Sequence, residues 1–333
     1  MVSTKLNNRF LLLLIFLLSL AFLQCIQNAP RDNPLDPNNN PEGQRYQISG
    51  NVLTFYQPYR AIPGASLMLT PGNLVTIADD AGNFRFSNVL PGSYVLISNA
   101  PGFLADSISL NLQADTTVVF HMDALPFFKK ISLTTYHVSQ FFPPYDLYSL
   151  KIEAEVDDND GVNDIKLVIY QIEQQNFQDT LMPTTTPGFF SIQRSAGDFP
   201  TRSIHRLVGY PFQFIVSDSP GARVKSLPQY ISRIIETIPE LTEPISLATV
   251  SSFPIFFRWQ PVFLPYKFTF RIEIYRIDFG IPSLIFGQSG IPENATEFQY
   301  DTQLTAGDYF WVLYIVDEFG NSSRSREGAF RVQ

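Results

Sequence analysis

DDAGNFRFSNVLPGSYVL, residues 79–96, is the stretch that decides the fold. Asp79 to Asn83 is a cluster of turn-forming residues, and Phe84 and Phe86 then alternate with Arg85 and Ser87. Val89 leads into Pro91-Gly92, where proline fixes φ and glycine permits positive φ, and Tyr94 and Leu96 resume the alternation. A period of two between closely spaced turns predicts antiparallel strands packed on one face. Outward from this stretch the pattern repeats. Ile48 to Val52 opens a strand, Pro63-Gly64-Ala65 turns into Ser66 to Leu69, and Ser107–Leu112 and Thr116–Met122 complete about seven strands over residues 46–124.

Three pieces of this unit go together: Gly50-x-Val52, Pro63-Gly64-Ala65, and D-x-x-G-x-F-x-F-x-x-V-x-P-G-x-Y-x-L over 79–96. They resemble the carboxypeptidase regulatory-like family, whose fold is a transthyretin-like sandwich. The resemblance implies a structural or docking module. The catalytic domain that such modules accompany, with its His-x-x-Glu and later His zinc ligands, has no counterpart in this sequence.

Turn signals continue at sandwich spacing to the C-terminus. Over residues 127–237, Leu150, Ile152, Ala154 and Val156 form one strand face, and Lys151, Glu153, Glu155 and Asp157 the other. Ile165, Leu167 and Ile169 alternate after the Asp157–Gly161 turn, and Phe212, Phe214 and Val216 lead to Asp218. The V-D-D-x-D-G-x-x-D-I run is similar to bacterial immunoglobulin-like domains. Tyr230 to Ile238 reads as a last strand, rich in isoleucine and closed by Pro239. Over residues 239–333, Phe257 and Trp259 share a face, Phe268 to Ile274 alternate, and L-x-x-G-x-Y-x-W spans 304–311. This resembles a fibronectin type III domain, and the resemblance implies that Tyr309 bonds nearby backbone as a corner tyrosine. The expected fold class is therefore all-β, with three tandem β-sandwich domains. The short joints at 124–126 and 238–240 contain proline and predict a semi-rigid row.

The N-terminus points to export. Lys5 and Arg9 precede a 14-residue run, Phe10 to Leu23, broken only by Ser19. That is the length of a signal-peptide core, whereas a bilayer span needs about 20 apolar residues. The sole cysteine, Cys25, follows directly. Phe22-Leu23-Gln24-Cys25 resembles a bacterial lipoprotein signal, with Leu23 and Gln24 where that signal has small residues. The resemblance implies a signal peptide over 1–24 and a lipid on Cys25, holding the chain to the outer membrane or cell surface. Residues 25–45 carry four Pro and five Asn with no apolar periodicity and read as a flexible tether of roughly 25 Å.

Composition excludes several function classes. With 23 basic and 31 acidic residues the net charge is −8, which does not suit nucleic acid. Forty-five per cent apolar residues exclude general disorder, and one cysteine excludes an intrachain disulfide. No Gly-rich phosphate loop is present, so nucleotide binding has no support. Gly287-Gln288-Ser289-Gly290 runs on to Ile291, so no G-x-S-x-G occurs. The three histidines, His121, His137 and His205, are scattered along the chain without an H-E-x-x-H. A non-enzymatic chain without a required cofactor is expected.

Two local features remain. Asp158, Asp160 and Asp164, with Asn163, present oxygen donors at the close spacing a calcium ion takes, although Asp, Asn and Gly are equally the residues of a polar turn. Tyr145 in FFPPY and Tyr266 in FLPY lie between strands, where aromatic rings either stack on sugars or close the ends of a sandwich. The expected role is a tethered spacer and interaction module at the envelope, with a protein or a polysaccharide as partner, or a place as accessory subunit of an envelope enzyme or transporter.

Overall fold

The structure, a computed structural model, describes residues 43–141, 143–251 and 253–333. It divides into two compact units, 1–123 and 124–333. The signal, Cys25 and the tether as far as residue 42 lie outside the described residues. Every extended element is a strand; the only helical turns described are four 3₁₀ turns of three residues. The protein is all-β, in sandwich-like sheets.

Unit 1 holds seven strands: β1 (Tyr46–Thr54), β2 (Ser66–Thr70), β3 (Leu74–Ile77), β4 (Asn83–Val89), β5 (Gly92–Asn99), β6 (Asp106–Leu112) and β7 (Thr116–Met122). They form two sheets, β4-β1-β7 and β3-β2-β5-β6. Between them sits a core that includes Ile48, Val52, Leu67, Leu69, Phe84, Phe86, Leu96 and Phe120. Phe84 and Phe86 point inward and Arg85 outward, as the period of two requires.

The quoted motif has physical reasons at each position. Asp79 caps its own turn: Oδ1 accepts the amides of Ala81 at 3.0 Å and Asn83 at 2.8 Å. Gly82 sits at φ +74°, and a Cβ there would lie 2.6 Å from the Val52 carbonyl oxygen. Gly50 lies in the middle of β1, where β7 runs alongside in parallel register, and a Cβ would meet the Val118 oxygen at 1.7 Å. The Tyr94 hydroxyl donates to the Leu90 carbonyl four residues back, at 3.0 Å.

Unit 2 holds sixteen further strands. The first seven are β8 (Phe127–Val138), β9 (Leu147–Asp157), β10 (Ile165–Ile172), β11 (Phe177–Pro183), β12 (Phe189–Ser195), β13 (Gln213–Asp218) and β14 (Arg223–Lys225). The rest are β15 (Leu241–Glu243), β16 (Ala248–Val250), β17 (Ile255–Trp259), β18 (Phe268–Asp278), β19 (Ile281–Pro292), β20 (Glu297–Tyr300), β21 (Gly307–Asp317), β22 (Ser322–Arg324) and β23 (Gly328–Val332). The unit has two hydrophobic cores. One gathers Leu150, Ile152, Tyr170, Phe212 and Phe214, and the other Phe257, Trp259, Phe270, Trp311 and Phe330. The Tyr309 hydroxyl donates to the Thr305 carbonyl at 2.8 Å, the same bond four residues back that Tyr94 makes in unit 1.

These two cores are joined by one sheet. Its path is β14-β13-β10-β11-β12-β9-β8-β22-β21-β18-β19, with β16 and β23 attached. The joining pair is parallel, Tyr136 to Val138 of β8 against Ser322 to Arg324 of β22.

Two sequence expectations are corrected in unit 2. Residues 231–238 form no strand. Side chains take the place of a ladder there: Thr135 Oγ1 donates to the Arg233 carbonyl (2.7 Å), His137 Nδ1 meets the Ile235 carbonyl (3.0 Å), and Ser323 Oγ donates to the Thr237 carbonyl (2.5 Å). The isoleucines expected on a strand divide between the two cores instead, Ile231 in the first and Ile235 in the second. Leu167 points outward, because the β10–β13 register shifts between Ile165 and Leu167 and places Val168 and Tyr170 inside.

Candidate functional site

The end of unit 2 where β9, β10 and β13 meet turns carries an acidic cluster. Asp158 and Asp160 follow β9, Asp164 closes the 3₁₀ turn Val162–Asp164 before β10, and Asp218 ends β13. Ile165 pairs with Asp218, and the Ser219 hydroxyl donates to the Asp164 carbonyl at 3.0 Å, which ties the two loops together. The turn is pinned by the Ala124 amide, which donates to Asp160 Oδ2 at 2.9 Å. The Asp160 amide donates to Asp158 Oδ1 at 3.1 Å.

The three aspartates singled out in the sequence are thus brought together. Asp160 and Asp164 each place a carboxylate oxygen within 4.8 Å of the other's. Asn163 does not join them; it is exposed. The fourth carboxylate is Asp218, which the sequence reading passed over. Its signal was present: Phe212, Phe214, Val216 and Asp218 share one strand face, and the other three are core residues. An aspartate that continues a buried face has to meet either a partner or an ion.

The electrostatics of the cluster are unusual. Burial first, then the Asp160 side chain and the charges of Asp160 and Asp164, pushes the Asp158 carboxyl up to about 8. Asp164 is pushed up to about 6 by burial and by the charges of Asp160 and Asp218. The adjacent Lys129 is engaged by Asp157 at 2.5 Å. These shifts have a consequence for cation-free protein. A carboxyl whose folded pKa is raised binds more protons folded than unfolded, so folding stability falls as pH rises from about 4 toward 8. We expect the melting temperature in excess chelator to drop between pH 5 and pH 8, and the drop to shrink in Asp158→Asn. A flat profile in the parent protein would contradict the buried cluster.

The aromatic candidates are placed differently from each other. Tyr145 lies between β8 and β9 and is 61% exposed. Tyr266 lies before β18, with the Arg233 guanidinium 3.7 Å above its ring, so one face is already covered. A groove of about 640 Å³ opens in unit 2, lined by Phe141, Asp146, Leu241, Leu247 and Arg326 among others. Arg326 lies 5.4 Å over the Phe141 ring there.

Two of the histidines, far apart in sequence, converge on one ring. His137 stacks on Tyr148 with centroids 4.3 Å apart, and His205 meets the same ring edge-on at 4.6 Å. Glu236 accepts from the Tyr148 hydroxyl (2.9 Å) and lies 2.5 Å from His205 Nε2. These groups bind residues 231–238 to β8 and β9. His121 belongs to unit 1, against the Tyr59 ring and the Thr54 carbonyl.

No curated protein matches the chain. Among solved structures, a cohesin–X-dockerin complex of Acetivibrio cellulolyticus is similar at 17% identity, over 24% of this chain and 58% of that one, with a TM-score of 0.22. The chain therefore spans under two thirds of that structure. The FN1–FN3 domains of chicken CNTN1 are similar at 11% identity, over 87% of this chain and 96% of that one, with a TM-score of 0.31. The fibronectin(III)-like modules of Clostridium thermocellum CbhA are similar at 13% identity, over 62% and 93%, with a TM-score of 0.29. Residues 47–123, the two-sheet sandwich of unit 1, match the carboxypeptidase regulatory-like domain.

Proposed function

We propose that this protein is a non-enzymatic lipoprotein of the bacterial envelope, held to the membrane through Cys25 and acting as a spacer and protein-interaction module. The observation that carries this reading is the construction of unit 2. A spacer has to resist bending between its parts, and here two cores share one hydrogen-bonded sheet through β8 and β22. The segment between them is fastened by side chains rather than left as a linker. The match of residues 47–123 to a regulatory-like domain is in keeping with a docking role for unit 1. In this reading the later part of unit 2 is a fibronectin type III-like sandwich with Tyr309 at its corner, and the earlier part an immunoglobulin-like one. The partner is a second envelope protein. Several acyl chains on Cys25 would make attachment nearly irreversible, since each buried CH₂ contributes ~0.8 kcal/mol.

The test is the mass of the N-terminal peptide of protein purified from native membranes. A diacylated or triacylated Cys25 as the first residue is the expected result. An unmodified terminus, or protein recovered wholly in the soluble fraction, would overturn the lipoprotein reading.

A further inference from the structure

The acidic cluster of unit 2 carries more than a polar turn requires. Asp158, Asp164 and Asp218 are each at least nine-tenths buried, at 6%, 9% and 2% exposure. Turn formation accounts for some of their oxygens: Asp218 Oδ1 accepts the amides of Gly221 and Ala222, and Asp158 Oδ1 that of Asp160. It leaves five others. Asp158 Oδ2, Asp160 Oδ1, both oxygens of Asp164 and Asp218 Oδ2 are buried, and among the described residues none accepts a hydrogen bond. Leaving one buried polar atom unmet is unfavourable, and five carboxylate oxygens drawn from two loops are costly to bury without a counter-charge or bound protons. Lys129, on the neighbouring strand β8, is paired with Asp157 instead.

We propose that Asp160 and Asp164, whose carboxylate oxygens come within 4.8 Å of one another, hold one hard divalent cation, calcium in preference to magnesium, with the buried carboxylates of Asp158 and Asp218 in the acidic wall around it. The donor set is all carboxylate, which fits neither the imidazole and thiolate preference of zinc nor that of copper. Magnesium demands near-ideal octahedral geometry and keeps several waters, whereas calcium takes six to eight oxygens in flexible geometry, which suits carboxylates set at uneven distances. The ion neutralises the cluster and ties the turn after β9 to the ends of β10 and β13, so the cluster is a stabilising site. The inference is independent of whether Cys25 is acylated.

The full chain, freed of metal with chelator and dialysed, is titrated with calcium by calorimetry and followed by thermal melting. The expected result is a heat of binding saturating at one strong site per chain, with a Kd on the order of 0.1–1 mM or tighter. Melting should rise by roughly 5–10 °C at one hundred times the Kd. Magnesium at the same concentration should move it much less. Asp164→Asn and Asp160→Asn should each weaken binding at least tenfold, while Glu153→Gln, on the half-exposed face of β9, binds as the parent does. In chelator, Asp164→Asn should melt no lower than the parent, because it removes a buried unpaired charge; this separates lost binding from lost folding. No heat and no shift with calcium in the parent would overturn the site. Equal shifts with calcium and magnesium, or undiminished binding by both cluster variants, would do the same by reducing the effect to charge screening.

Discussion

Gly50→Ala is expected to destabilise unit 1 by roughly 3 kcal/mol or more, a large fraction of the stability of a small domain. The added Cβ would lie 1.7 Å from the Val118 carbonyl oxygen, 2.7 Å from its carbon and 3.1 Å from Phe84 Cε1. Two of those atoms are backbone, so no rotamer change relieves the contact. Nor can β1 slide away. It is the central strand of its sheet, paired with β4 on one side and β7 on the other. Relief has to come from breaking the β1–β7 ladder, which holds Ile48 to Thr54 in register with Thr116 to Met122. Hydrogen exchange read by mass spectrometry on the full chain checks this. Protection should fall across residues 46–122 and stay unchanged in unit 2. Ser49→Ala on the same strand should change little. Parent-like protection in Gly50→Ala would mean that β1 and β7 are not held in this register.

The same glycine shows where the sequence was legible and where it was not. Gly50-x-Val52 was recognisable as part of a strand motif, and the alternation at Phe84, Phe86, Tyr94 and Leu96 was enough to place those strands, because a half-buried strand writes its period of two locally. The reason for a glycine at position 50 was not local. It lies in a parallel neighbour that comes from the end of the unit. Residues 231–238 mislead in the opposite direction. Their isoleucines have strand propensity, yet their carbonyls are met by Thr135, His137 and Ser323, and no periodicity records a side chain elsewhere that substitutes for a ladder. The acidic cluster falls between these cases. Asp158, Asp160 and Asp164 are neighbours in sequence and visible together. Asp218 arrives through the pairing of β10 with β13, and its one local trace is that it continues the buried face of Phe212, Phe214 and Val216.

The joint between the two cores of unit 2 yields the second large effect. Asp317 ends β21 with its side chain fully buried. Oδ1 accepts the amides of Phe319 and Asn321, both at 2.9 Å. Oδ2 accepts from Asn321 Nδ2 at 3.0 Å and from Arg233 Nη1 at 2.9 Å. Asn321 in turn accepts the Thr135 amide of β8 at 2.9 Å and donates to Ser232 at 3.1 Å. One carboxylate therefore organises the turn before β22, orients the asparagine that reaches β8, and holds the arginine of the connecting segment. Asp317→Ala removes four acceptor contacts at once and strands Arg233 without its buried partner, so a loss of about 3–5 kcal/mol is expected. Asp317→Asn should lose less, because its remaining oxygen still accepts the two turn amides. The pattern of the loss matters as much as its size. If β8 and β22 make the two cores one cooperative body, denaturant unfolding of Asp317→Ala should remain a single transition for unit 2, with exchange protection falling together in residues 127–237 and 239–333. Protection lost only after residue 239 would show that the sheet is continuous in geometry but not in energy, and a stiff spacer could not be built on it.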